Sequence, residues 1–144
     1  MRNLIQLATR GALCATLAVG AVAANAADEK PMITGKKDLV CASQDVMACV
    51  EGATCLQGSP ATFELPTFMF VHVKEKEIRA VDSDGSSLTS PIKTWEVTEQ
   101  SAILQGFENH RGWTVAIDKL DGSFTLSATG PDVNFMIMGA CTKL

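Results

Sequence analysis

The chain has 144 residues, of which 47% are hydrophobic and 19% are charged, with 12 Lys and Arg against 16 Asp and Glu. This length is enough for one domain with a modest core and is too short for two ordinary domains. The net charge of −4 argues against a nucleic-acid partner, because phosphate binding needs clustered Lys and Arg. It also argues against adsorption to anionic membranes.

Residues 1–26 have the three-part pattern of a secretory signal peptide. The start is basic, residues 11–23 carry no charge, and Ala24 and Ala26 are the small residues expected before a cut at Ala27. A retained anchor is the alternative, but this apolar run is shorter than the roughly 20 residues that span a membrane. We therefore expect a periplasmic or secreted protein without membrane attachment after cleavage. Cleavage removes two arginines and no acidic residue, so the net charge falls from −4 to −6.

The rest of the chain is predicted to be one β domain with a leader. Residues 27–37 are polar, contain Pro31 and Gly35, and are expected to form a flexible leader. Residues 38–144 contain short apolar or alternating runs, separated by turn signals about ten residues apart. This spacing is typical of a β-sandwich or a β-barrel.

Individual strands differ in how clearly they are predicted. Trp113, Val115 and Ile117 alternate with smaller or polar residues, which predicts a strand with one inward face. Pro91 is expected to mark the start of a strand over 92–97. Residues 39–50 are ambiguous between a strand and a short helix capped by Ser43. A strand is preferred because five apolar residues stand at even-numbered positions and would share one face: Val40, Ala42, Val46, Ala48 and Val50.

About eight short antiparallel strands joined in a meander are therefore expected. An up-and-down β-barrel of lipocalin-like or avidin-like shape is favoured over a two-layer sandwich, because closure removes the exposed edges of the sheet. A barrel of about eight strands has an interior that is filled by side chains or that holds one small ligand.

The cysteines indicate a disulfide framework. Cys14 lies in the signal segment, which leaves Cys41, Cys49, Cys55 and Cys141 in the domain. Four cysteines allow three pairings, and the sequence favours Cys49–Cys55 across a short turn together with Cys41–Cys141 near the two ends of the domain. A zinc site is the alternative, but the C-x7-C-x5-C spacing does not match known structural zinc sites, so no metal is expected.

One polar turn is the best candidate for a recognition loop. It combines a carboxylate, an amide, an imidazole and a guanidinium beside an aromatic ring, which are the groups that binding loops use. The plain alternative is a hairpin turn in which Gly112 relaxes the backbone. The candidate residues are Glu108, Asn109, His110, Arg111 and Trp113.

No catalytic constellation is found in the sequence. The chain contains no G-x-S-x-G, H-E-x-x-H, phosphate-binding loop or dinucleotide-binding motif, so no catalytic residue and no cofactor are predicted. His72 is interpreted as an ordinary strand residue, because no partner stands at a recognisable spacing. The acidic loop after it, from Asp82 to Gly85, departs from the calcium-loop pattern further along.

Four segments of the chain resemble a group of small exported proteobacterial proteins. They are LVCAS (39–43), ILQGFEN (103–109), RGWTVAID (111–118) and GACT (139–142), and the resemblance covers nearly the whole domain. That group has no assigned activity. The resemblance implies an exported domain with paired cysteines and no catalytic residue.

Two functions are expected in order of preference. The first is a non-enzymatic binding or accessory barrel of the periplasm, with an unknown small apolar ligand. The second is a proteinaceous inhibitor or a module that contacts an envelope protein through residues 108–113. Small periplasmic barrel inhibitors of lysozyme are similar in architecture only, since their S-G-x-x-Y loop is not found in this sequence.

Overall fold

The computed structural model describes residues 31–50, 54–82 and 85–144. The expected signal peptide and residues 27–30 of the expected leader lie outside the described residues. The described residues form nine strands and a short 3-10 helix: β1 (Leu39–Val50), β2 (Cys55–Gly58), the 3-10 helix (Pro60–Phe63), β3 (Phe68–His72), β4 (Glu77–Val81), β5 (Ser87–Val97), β6 (Ser101–Glu108), β7 (Arg111–Asp118), β8 (Ser123–Thr129) and β9 (Val133–Lys143).

The strands close into a barrel. From β3 to β9, each strand pairs antiparallel with the next one along the chain, and β9 returns to pair with β1. Because the first half of β1 also pairs with β3, these eight strands form a closed up-and-down barrel. β2 is an extra strand that pairs with the second half of β1. The prediction of an all-β barrel is confirmed, and a sandwich is not formed.

β1 is a strand throughout, but it does not keep one face inward. A bulge between Ser43 and Asp45 shifts its register with β9 by one residue. Before the bulge the odd-numbered positions are buried, as Cys41 shows, and after it the even-numbered positions are buried, as Val46 shows. The even-numbered apolar residues from Val40 to Val50 therefore do not share one face, because the bulge reverses the alternation of inward and outward side chains.

Pro91 lies inside β5, not at its start. β5 begins at Ser87, and Pro91 is opposite Glu77 of β4. The pairing of β5 with β6 begins only at Ile92. Pro91 therefore lies before the first paired residue, and its missing backbone N–H interrupts no hydrogen bond between β5 and β6. The expected strand start at 92 was therefore five residues too late.

The inward faces of β6 to β9 build half of the core. The predicted alternation in β7 is confirmed, because Trp113, Val115 and Ile117 are all buried. These side chains meet a continuous set of apolar side chains from the neighbouring strands, which are Ala102, Leu104, Phe124, Leu126 and Ile137.

Both disulfides join residues that are directly opposite on paired strands. Cys41 of β1 faces Cys141 of β9, and Cys49 of β1 faces Cys55 of β2. Each pair is bonded, so the structure contains the pairing that the sequence favoured. Two disulfides in a small domain fit an oxidising compartment.

The two ends of the barrel are different. At one end, called the floor end here, the 119–122 turn lies near both ends of the described domain, where the backbone N–H of Leu144 donates to the carbonyl of Asp38 at 2.9 Å. The opposite end, called the mouth, carries the β6–β7 turn at 109–110 and the β8–β9 turn at 130–132.

Ile33 seals the floor end. Its side chain is fully buried in the core, and its backbone N–H donates to the carbonyl of Lys119 at 3.0 Å. Met32 also packs against the core. Residues 27–37 were expected to form a flexible leader, but Met32 and Ile33 within this range pack against the core. The short apolar pair Met32 and Ile33 shows no periodicity, yet the burial of Ile33 contributes about 1.5–3 kcal/mol.

Ile33→Ala is expected to lower the free energy of unfolding by about 2–5 kcal/mol, because it leaves a cavity in the core. Urea denaturation measures the change. Thr34→Ala, at the exposed neighbouring position, is the control and should stay within about 0.5 kcal/mol of wild type. Equal stability of the two variants would show that Ile33 is not held in the core.

The two disulfides are expected to differ in their effect on stability. Cys41–Cys141 closes a loop of 100 residues and Cys49–Cys55 a loop of 6. Chain entropy then assigns about 4–5 kcal/mol to the long bond and about 2 kcal/mol to the short one. Paired Cys→Ser variants of each bond, compared by urea denaturation without reductant, test this. A larger loss from the short bond would contradict the loop-closure argument.

Candidate functional site

The barrel interior contains an apolar cavity of about 200 Å³ that opens at the mouth. Every strand from β3 to β9 contributes at least one lining side chain, and the 59–67 connection contributes Leu65. The apolar lining includes Met69, Ile78, Ala80, Leu126, Ala128, Phe135 and Ile137. Side chains from strands that are distant in sequence therefore converge on one space.

Trp113 is the largest side chain that lines this cavity. Its indole Nε1–H donates to the hydroxyl of Ser90 at 2.9 Å, and both residues are buried. Gly106 lies directly opposite Trp113 on β6, where a Cβ atom would overlap the indole ring. Glycine at this position therefore leaves room for the indole ring over β6, and the hydrogen bond to Ser90 of β5 fixes the orientation of the ring.

The candidate recognition loop is a two-residue hairpin turn. Asn109 and His110 both have left-handed backbone conformations, with φ of 46° and 62°. This is the pattern of the tight turn that matches the twist of paired strands. Gly112 lies within β7, so the expectation that it relaxes the turn is wrong. Because the turn is tight, Glu108 and Arg111 are directly opposite and their side chains share the inner face.

Arg111 is half-buried at the cavity mouth. Its guanidinium carbon lies 6.0 Å from the centre of the Phe135 ring, and its Nε atom is buried without a hydrogen-bond partner. No carboxylate among the described residues lies within 4 Å of the guanidinium, including that of Glu108 in the same lining. The positive charge of Arg111 is therefore balanced by no ion pair within this part of the chain.

The structure brings four of the five predicted site residues together. Glu108, Asn109, Arg111 and Trp113 all line the cavity, whereas His110 is exposed at the tip of the turn and does not. The sequence indicated this turn by its polar composition. It did not indicate the apolar wall behind the turn, because those side chains come from strands that the register brings together.

A second cluster of polar groups lies at the floor end. Nδ1 of His72 is 3.2 Å from Oδ2 of Asp38, and the backbone N–H of Val73 donates to Oδ1 of Asp38 at 3.0 Å. The hydrogen bond from Val73 and the contact with His72 hold the pKa of the Asp38 carboxyl below its ordinary value. Glu75 lies beside this pair. One carboxylate oxygen each of Asp38 and Glu75 and one ring nitrogen of His72 all lie within 4.8 Å of one another.

The partner of His72 could not be found from sequence spacing. Asp38 is 34 residues away from His72 in the sequence. Leu39 of β1 is opposite Val71 of β3 in an antiparallel pair, so Asp38, which precedes Leu39, lies beside His72, which follows Val71. A histidine and two carboxylates are suitable ligands for a divalent cation. The hydrogen bonds alone also account for the cluster, since they tie the start of β1 to the end of β3.

The outer face of the barrel has an apolar groove. Phe68 and Val81 lie directly opposite each other on β3 and β4 and are 50% and 42% exposed. They line a groove of about 830 Å³ together with Ala61 and Asp82. Exposed apolar side chains are normal on protein surfaces, so the apolar cavity inside the barrel, on which seven strands converge, is the stronger candidate site.

Comparison with known proteins identifies no relative: no protein-family model, curated protein or solved structure matches this chain. The resemblance to small exported proteobacterial proteins stays a prediction. Among the described residues, no helix has the length and apolar character needed to cross a membrane.

Asp38 is expected to make stability depend on pH in a defined direction. Because its pKa is lowered in the folded chain, its charged form stabilises the fold above the unfolded pKa of about 3.9, and this contribution is lost as pH falls through the folded pKa. Asp38→Asn should therefore be less stable than wild type at pH 7, and the difference should shrink below about pH 4.

Urea denaturation at several pH values measures this difference. Glu96→Gln, on an exposed position of β5, is the control for the loss of one negative charge. A stability difference between wild type and Asp38→Asn that stays constant down to pH 2 would contradict the proposed role of the charge.

Proposed function

We propose that this protein is an exported, non-enzymatic binding protein that holds one small, largely apolar molecule inside its barrel. The observation that carries the proposal is the apolar cavity, which opens at the mouth and is lined in the interior by side chains such as Met69, Leu126 and Ile137. Concave apolar sites with a few polar groups at one side are the usual form of small-molecule sites.

The size of the cavity limits the ligand. Its volume of about 200 Å³ exceeds the roughly 150 Å³ of a dry cavity that binds benzene, and it lies below the range of drug-sized sites, which begins at about 300 Å³. A molecule of roughly eight to ten non-hydrogen atoms therefore fits. Such a molecule would contact Met69, Ile78 and Leu126 in the interior and leave one end at the mouth.

The polar groups of the cavity support a binding role. The hydroxyl of Ser90 accepts the hydrogen bond of Trp113, and the acid and amide groups of Glu108 and Asn109 lie at the rim. Export is supported by the two disulfides, which fit an oxidising compartment, and by the signal pattern of residues 1–26.

A cavity-filling variant tests the proposal. Ala128 lines the cavity from β8, so Ala128→Phe places a ring in the space that the ligand would occupy. With 1-octanol as an uncharged probe of suitable size, we expect wild type to bind and the variant to bind at least tenfold more weakly. Isothermal titration calorimetry measures both affinities.

The matched control is Ala116→Phe, which adds the same ring at an exposed position of β7 outside the cavity. It should bind 1-octanol as wild type does. The melting temperature of each variant is measured first, and Ala128→Leu replaces Ala128→Phe if the larger side chain unfolds the protein. Equal binding by all variants would refute the proposal, as would failure of wild type to bind both 1-octanol and octanoate.

A protein-interaction role is the second candidate. Phe107 is 57% exposed on the outer face of β6, next to the exposed turn that carries His110. Together they form a small contact surface of the kind an inhibitor or an envelope-binding module would use. In that case a captured partner would depend on Phe107 and His110, and 1-octanol would not compete with it.

A further inference from the structure

The cavity contains a positive charge that forms no ion pair with any described residue. Arg111 lines the mouth of an apolar space, and no described carboxylate lies within 4 Å of its guanidinium. Its Nε atom is buried and has no hydrogen-bond partner. A buried donor without a partner is unfavourable, so an acceptor supplied by a bound molecule would find a site that the protein itself does not fill.

The side chain of Arg111 is held in place from two sides. The ring of Phe135 lies on one side, 6.0 Å from the guanidinium carbon. On another side, a Cβ atom at Gly130 would lie 2.7 Å from Cγ of Arg111 and 3.1 Å from its Nε, so only glycine leaves room for this position. A guanidinium that is already oriented loses less freedom when it binds an anion.

The chemistry of the rim favours a singly charged anion. A guanidinium presents parallel N–H groups that match the two oxygens of a carboxylate, and the interaction is stronger at an apolar mouth than in bulk water. Glu108 lies in the same lining, and without the expected signal peptide the chain has a net charge of −6. Both features disfavour a doubly charged phosphate over a carboxylate with one negative charge.

We propose that the molecule held in the barrel is a medium-chain carboxylate, whose carboxylate group is bound by Arg111 at the mouth. Its alkyl chain lies among the apolar side chains of the interior, and a chain of about eight carbons matches the cavity volume of about 200 Å³. This inference rests on the proposed binding function, because it assigns the chemical class of the ligand to the same cavity.

The test compares octanoate with 1-octanol, which differ in the charged group and share the chain length. Isothermal titration calorimetry at pH 7.5 gives the ratio of the two dissociation constants. We expect wild type to prefer octanoate at least tenfold, and Arg111→Gln to reduce this preference to about threefold or less. Lys93→Gln, an exposed lysine on β5, removes the same charge outside the cavity and should keep the wild-type preference.

A second pair of variants tests the position of Arg111 without changing any charge. Gly130→Ala places a methyl group where the Arg111 side chain lies and should reduce the preference for octanoate several-fold. Gly112→Ala makes the same change at a position where no atom lies within 4 Å, so it should keep the wild-type preference. This pair also covers the case in which Arg111→Gln does not fold.

The outcomes separate this inference from the proposed function. If wild type binds 1-octanol but prefers octanoate no more than threefold, the carboxylate inference is wrong and the binding function stands. If Arg111→Gln and Gly130→Ala both keep the full preference, Arg111 is not the group that binds the carboxylate. Tighter binding of octyl phosphate than of octanoate would also overturn the inference. If wild type binds none of these probes, both proposals fail together.

Discussion

The pairing of β1 with β9 is the contact on which the rest of the barrel depends. The two strands come from opposite ends of the described domain, and their pairing turns a meander with two open edges into a closed sheet. The Cys41–Cys141 bond holds this pairing covalently. Gly139 lies opposite Ser43, where a Cβ atom would overlap the carbonyl of Ala42, so glycine allows the close approach. This closure completes the barrel whose interior contains the cavity.

Features that depend on local pattern could be predicted from the sequence. The inward face of β7 follows from strict alternation around Trp113, and the cysteine pairing follows from the spacing of four residues in an expected barrel. The polar composition of the β6–β7 turn also indicated the candidate site. Each of these signals is contained in a short segment, or in the number and order of one residue type.

Features that depend on register could not be predicted in this way. The bulge after Ser43 reverses the inward face of β1, yet neighbouring residues have ordinary strand character. The contact of Asp38 with His72 follows from the β1–β3 register, and the burial of Ile33 follows from the shape of the floor end. The apolar wall facing Arg111 has the same origin, because its side chains come from several strands.

The position of the long disulfide determines how the domain would respond to mechanical force. If the two ends of the described domain were pulled apart, the load would pass through the Cys41–Cys141 bond and not through the hydrogen bonds of the sheet. The residues between the two cysteines, 100 positions apart, would then be shielded from extension. An equal length of unrestrained chain could extend by about 340 Å, so the covalent bond would preserve the barrel and its cavity under tension.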